Sequence, residues 1–227
     1  MDTSTHARFD DDVIDRADVE GTEMVLTRSG KDVAIRIGDR TLMTSDAHDS
    51  EDEFGELVAQ AVVEVDEPTV LIGGLGLGFT LRAVLDRLPH TAQVDVAELV
   101  PAVVRWNKSF CGDYARRPLE DRRVRLHIAD VAAVIARGTD RYDAIALDVD
   151  NGPSAVTQPD NEQLYTRAGL LRARAALRPG GVLAVWSAFP SRAFTRALEV
   201  VGDVRLVRTT PAFKGGTRYH LWLARRA

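Results

Sequence analysis

From residue 69 onward, short uninterrupted apolar runs alternate with stretches of helical spacing, a pattern that predicts a doubly wound α/β sheet. Thr69-Val70-Leu71-Ile72 reads as a fully buried strand, followed by a glycine loop and a helix from about Thr80 to Leu88. Gln93–Ala97, Val124–Ile128, Tyr142–Leu147 and Val182–Ser187 are the next strands. Helices are expected from Pro101, where proline suits a first turn, and over Val131–Arg137, Asn161–Leu177 and Ser191–Val200. The last two apolar runs, Asp203–Thr209 and Arg218–Ala224, are joined by only eight residues. A parallel crossover needs about a dozen or more, so this pair must be antiparallel. The expectation is a mostly parallel sheet of seven strands.

Before Pro68 the pattern changes. Met24-Val25-Leu26, Val33-Ala34-Ile35-Arg36-Ile37 and Thr41-Leu42-Met43 are separated by Ser29-Gly30-Lys31-Asp32 and Gly38-Asp39-Arg40. That predicts a small antiparallel appendage of two or three strands. A helix follows over Ser50–Val65, with Phe54, Leu57, Val58, Ala61 and Val62 on one face and Ser50/Glu53 as a capping box. Residues 1–20 are polar and acidic around Asp10-Asp11-Asp12 and read as a mobile leader. Three parts are expected: a leader over 1–20, a β segment plus helix over 21–67, and a ligand-binding domain over 68–227.

Composition narrows the classes. The 227 residues are 45% hydrophobic and 28% charged, an ordinary globular balance that excludes wholesale disorder and collagen. Cys111 is the only cysteine, which excludes an internal disulfide and a Cys-rich zinc site and fits a reducing compartment. The start lacks a signal peptide, and Val70–Leu81 is too short and glycine-broken to span a bilayer, so a cytoplasmic protein without membrane contact is expected. The net charge of −5 is uneven. Residues 1–68 carry 19 acidic and 6 basic side chains, whereas 69–227 carry 15 and 23. The basic residues of the second part are scattered among helices rather than clustered with aromatics, so a nucleic-acid partner is not expected.

The densest chemical signal is Val70-Leu71-Ile72-Gly73-Gly74-Leu75-Gly76-Leu77-Gly78-Phe79-Thr80. Glycines after a buried strand let the backbone approach a ligand, and the following helix offers its free N–H groups. A dinucleotide fingerprint requires G-x-G-x-x-G, and Phe79 breaks it. Gly74, Gly76 and Gly78 instead match the G-x-G-x-G of S-adenosylmethionine-dependent methyltransferase folds. Glu98, 20 residues past Gly78, is placed to accept from both ribose hydroxyls. Asp130 is placed to accept from an adenine amino group while the Val131 N–H donates to the ring; Asp130 also suits a helix N-cap.

The sequence resembles the spermidine synthase (polyamine aminopropyltransferase) superfamily, a branch of the class I methyltransferase fold with a Rossmann-like sheet. The likeness rests on Ile72-Gly73-Gly74 through Thr80-Leu81-Arg82, Ala97-Glu98-Leu99-Val100-Pro101 and Asp121-Arg122-Arg123-Val124. It continues in Ile128-Ala129-Asp130, Tyr142-Asp143-Ala144-Ile145-Ala146-Leu147-Asp148 and Leu177-Arg178-Pro179-Gly180-Gly181-Val182. The resemblance implies a small N-terminal β domain, S-adenosylmethionine or its decarboxylated form as donor, a small-molecule acceptor and a homodimer. Departures are concentrated at the substrate positions. The family's loop aspartate falls at Leu77; its D-S-S-D-P-x-G-P reads Asp148-Val149-Asp150-Asn151-Gly152-Pro153; and Asp52-Glu53-Phe54-Gly55-Glu56 lacks its tyrosine.

Asp148 and Asp150 follow the fourth parallel strand, at the edge where open α/β sheets bind ligands. Transfer from a sulfonium requires a positioned nucleophile and removal of its proton, which a carboxylate raised in pKa by burial beside its twin can do. Because the loop aspartate is missing, methyl transfer to a small nucleophile is expected first and aminopropyl transfer second. A non-catalytic, cofactor-binding partner protein is the third reading. His127, His220, Tyr165 and Trp186 are assigned to packing, and no metal site is expected. The loop 148–160 and the segment 211–216 are expected to line the acceptor pocket.

Overall fold

The computed structural model describes residues 12–149, 153, 163–209 and 217–227. Asp150, the first eleven residues of the leader, and nearly all of the two segments expected around the acceptor lie outside the described residues. The chain divides into two compact units between His48 and Asp49.

The first unit is an antiparallel meander of β1 (Asp12–Val19), β2 (Thr22–Ser29), β3 (Asp32–Ile37) and β4 (Arg40–Thr44), paired in chain order. Met24 and Leu26 on β2 and Val33 and Ile35 on β3 are buried, in the two-residue period of a strand. β1 falls in the segment expected to be a mobile leader. Its acidic composition conceals a strand whose stability comes from the ladder to β2; the exposed Arg16–Glu23 pair, 2.7 Å apart, adds little. An edge strand needs no apolar run.

The second unit begins with α1 (Asp49–Ala61). It continues through β5 (Thr69–Gly73), α2 (Phe79–Arg87), β6 (Gln93–Glu98), α3 (Pro101–Ser109), β7 (Val124–Ile128), α4 (Val131–Ala136) and β8 (Tyr142–Leu147). It closes with α5 (Arg167–Ala176), β9 (Leu177–Ser187), α6 (Arg192–Leu198), β10 (Gly202–Arg208) and β11 (His220–Arg226). The sheet order is β10-β11-β9-β8-β5-β6-β7, and β11 alone runs antiparallel to its neighbours. This is the expected seven-stranded α/β fold.

Three details differ from the sequence pattern. α1 belongs to this unit, which sets the division 20 residues upstream of Pro68, because the helix packs on α2, β8 and β9. The helix starts at Asp49, so Ser50 lies inside its first turn and donates its hydroxyl to Glu51 rather than capping. Arg178-Pro179-Gly180-Gly181 lies within β9 as an irregularity in its pairing with β8. Asp143 spans that irregularity, accepting from the Thr69 N–H at 2.7 Å and from Arg178 at 2.5 Å.

One side of the sheet is closed by α5 and α6. Trp222 meets the Phe194 ring edge to face with centroids 5.1 Å apart, and its indole N–H donates to Thr195. On the other side α1 and α2 lie close together. A Cβ on Gly55 would stand 2.6 Å from the Ala83 Cβ and 2.7 Å from the Thr80 carbonyl oxygen, so glycine is what permits this approach. The registers Gly73↔Ala97, Gly73↔Leu147 and Leu147↔Val185 bring Gly74, Glu98, Asp148 and Trp186 to one carboxyl edge of the sheet. Among the described residues no helix is long and apolar enough to cross a membrane.

Candidate active site

The glycine loop is set by backbone demands that a side chain would violate. Gly74, Gly76 and Gly78 have φ of 90°, 51° and 89°, left-handed values suited to glycine. A Cβ on Gly74 would lie 2.1 Å from the Asp148 carbonyl oxygen, so the loop and the end of β8 touch backbone to backbone. The contact is fixed by the Asp148 N–H donating to the Gly73 carbonyl and the Gly74 N–H donating to that of Ala97, each at 2.9 Å. Asn107 on α3 holds the loop from its other side, donating to the Gly76 carbonyl at 2.7 Å.

Glu98 is built into this loop. Its Oε2 accepts from the Leu75 N–H at 2.9 Å and its Oε1 from the Val100 N–H at 2.7 Å. Burial pushes its carboxyl above the usual range, against the pull of those backbone donors. The Leu99 and Gly76 N–H groups act on the same carboxylate, so Glu98 ties the glycine loop to the turn after β6. Asp130 caps α4, accepting from the Ala132 N–H at 2.8 Å with one oxygen. Its second oxygen is not committed by that cap, and the buried Val131 begins the helix beside it. The loop, Glu98 and Asp130/Val131 thus stand at the ends of β5, β6 and β7, a layout whose donors and acceptors suit a nucleoside.

Asp148 is the chemical centre of the edge. Its Oδ2 accepts from the Thr80 hydroxyl at 2.6 Å. Burial, reinforced by the nearby charge of Glu51 and opposed by Thr80, raises its pKa to about 7. Asp150, proposed from sequence as its twin, lies outside the described residues; the carboxylate that acts on Asp148 here is Glu51 on α1. Glu51 is 9% exposed, and it stands one turn before Gly55 on the helix face turned to α2. The same charge, after burial, raises the Tyr219 phenol.

Sequence reasoning missed Glu51, Thr80, Asn107 and Tyr219. A glycine inside a helix with a glutamate four residues earlier was the available signal for Glu51. The residues assigned to packing divide. Tyr165 packs on Phe194 with centroids 5.6 Å apart, and His220 is buried, its pKa lowered by that burial and by Arg208. His127 lies 3.4 Å from the fully buried Asp95. Trp186, next to last in β9, is also buried, and it lies against the Tyr219 ring near the Asp148 edge, centroids 4.9 Å apart and tilted by 30°. No trio of His, Cys, Asp or Glu able to hold a metal occurs among the described residues.

Comparison with known proteins accounts for this layout. The spermine/spermidine synthase domain matches residues 54–194, and the chain belongs to that family. It is 35% identical over 157 residues to polyamine aminopropyltransferase 2 of Pseudomonas aeruginosa, covering 65% of this chain and 43% of that protein. It is 32% identical over 149 residues to the polyamine aminopropyltransferase of Nitrosomonas europaea, covering 63% and 43%. The chain therefore spans less than half the length of these curated relatives. Spermidine synthase from Thermotoga maritima superposes with a TM-score of 0.75 at 18% identity, over 95% of this chain and 73% of that one, a likeness of fold.

These relatives overturn the expectation of methyl transfer. That expectation rested on Leu77, which stands where the family has a loop aspartate. Leu77 is fully buried, and the second carboxylate beside Asp148 comes from α1 as Glu51, a route the loop pattern could not reveal.

Proposed function

We propose that the chain is an aminopropyltransferase, moving the aminopropyl group of decarboxylated S-adenosylmethionine to an amine acceptor of the polyamine class. The observation that carries this reading is Asp148: a buried carboxyl at the donor loop, bonded to Thr80 and raised to about 7 beside Glu51. Such a group is ionised often enough at neutral pH to take a proton from an ammonium, and protonated often enough to release it. The family membership and the aminopropyltransferase relatives support the same reaction.

In this reading Gly74, Gly76 and Gly78 admit the donor, Glu98 holds its ribose, and Asp130 with the Val131 N–H holds its adenine. The donor supplies a propyl carbon activated by a neighbouring sulfonium, so the new N–C bond forms as the C–S bond breaks and sulfur keeps the pair. Asp148 takes the proton that the acceptor nitrogen loses, and Thr80 fixes the carboxyl's orientation. Glu51 and Asp148 together hold the amine's positive charge at the edge of the sheet. The buried Cys111, its thiol pushed up to about 12, takes no part; a single thiol so placed accords with a cytoplasmic enzyme.

Asp148→Asn keeps the shape and the Thr80 contact while removing the base. Expected is a loss of about a hundredfold or more in turnover with donor affinity nearly unchanged, measured by initial rates and by calorimetry. Unchanged turnover would remove Asp148 from the mechanism.

A further inference from the structure

Decarboxylated and ordinary S-adenosylmethionine differ by one carboxylate, and the donor loop itself has no means of refusing it. Residues 73–80 contain no acidic side chain, and neither does the first turn of α2. The start of α2 has no side-chain cap, so this helix end by itself favours an anion. Leu77, at the position of the family's loop aspartate, is fully buried and uncharged. A chain that takes the decarboxylated donor must therefore draw negative charge from outside the loop.

α1 supplies that charge. Gly55 lets the helix lie against the start of α2, where a Cβ would stand 2.7 Å from the Thr80 carbonyl oxygen. Thr80 in turn donates its hydroxyl to Asp148 at 2.6 Å. Glu51 precedes Gly55 by four residues, so both lie on the face of α1 turned to α2. Its carboxylate accepts from the Ser50 hydroxyl, and its charge acts on both Asp148 and Tyr219. The other carboxyls of this edge are less effective. Asp148, raised to about 7, carries its charge only in part at neutral pH. Glu98 is engaged by the backbone N–H groups of Leu75 and Val100.

We infer that Glu51 selects the donor. Its negative charge, held beside the donor loop by the close approach of α1 to α2, disfavours the carboxylate of ordinary S-adenosylmethionine and favours the donor that lacks it. Glu51 acts through its charge and needs no contact with the donor. Two unit charges about 6 Å apart in a partly screened site alter affinity by about tenfold. This inference rests on the aminopropyl-transfer reading above and names the residue that enforces its donor.

The test is calorimetric affinity of the full chain for decarboxylated S-adenosylmethionine, for ordinary S-adenosylmethionine and for its carboxamide, which has the size of the acid without the charge. The wild type should bind both the decarboxylated donor and the carboxamide more tightly than the acid, the first by about tenfold or more. Glu51→Gln keeps the shape and removes the charge, and it should shrink the gap between acid and carboxamide by about threefold or more. Glu51→Asp, which restores the charge, should keep most of that gap. A gap undiminished in folded Glu51→Gln overturns the inference and leaves the transfer reading standing. So does a wild type that prefers the decarboxylated donor yet binds acid and carboxamide alike, a comparison that decides even if Glu51→Gln does not fold. A wild type that binds ordinary S-adenosylmethionine as tightly as the decarboxylated form removes both.

Discussion

At the scale of single residues, the account turns on how Asp148 is charged. Because burial is the main cause of its raised pKa and Glu51 the second, the rate should rise with pH along a limb near 7 and level off above it. Two coupled carboxylates titrate as a pair, so the limb reports both. Glu51→Gln removes the repulsion and should move the limb to lower pH, a shift read from kcat against pH at saturating donor. A limb that stays in place would detach Glu51 from Asp148. The same group makes a stability prediction. Between the ordinary carboxyl value of 3.8 and about 7, the folded protein holds a proton that the unfolded chain has released. Through Asp148, stability must therefore fall as pH rises across that window, and it does not change with this group outside it. Denaturant midpoints should show the fall in the wild type and a smaller one in Asp148→Asn.

At the scale of elements, two glycines set the distances. Gly55 permits α1 to lie on α2, and Gly74 permits the loop to touch the end of β8. Gly55→Ala should destabilise the protein by about 1–3 kcal/mol through overpacking. By easing α1 outward it should also move the acid limb in the same direction as Glu51→Gln. Gly74→Ala meets the Asp148 backbone itself, and donor binding measured by calorimetry should fall far more than with Gly30→Ala, whose Cβ meets nothing. The contrast explains what the sequence could tell. Val70–Ile72 and Tyr142–Leu147 were legible because strands buried on both faces must be continuous apolar runs. The loop's turn was legible because Gly74, Gly76 and Gly78 supply the left-handed backbone that a side chain would strain. Glu51 was harder to read: Gly55 hints at a close helix approach, but the carboxyl that Glu51 acts on lies 97 positions further along the chain, after β8. β1 was hidden for a related reason: its stability lies in its ladder to β2, not in its own composition.

At the scale of the whole molecule, the charge divide and the structural divide are different boundaries. The acidic first 68 residues include α1, which belongs to the second unit and brings Glu51, whose charge acts on Asp148. The family match, 54–194, lies wholly within that unit. The reaction, rather than the fold, is what separates this account from other proteins with the same sheet, so the most direct measurement is of products. The full chain is incubated with decarboxylated S-adenosylmethionine and a panel of diamines and longer polyamines, and the mixture is resolved by mass spectrometry. The account predicts methylthioadenosine together with an amine heavier by one aminopropyl group, both lost in Asp148→Asn. Folded protein that binds the donor yet yields neither product with any amine would contradict it.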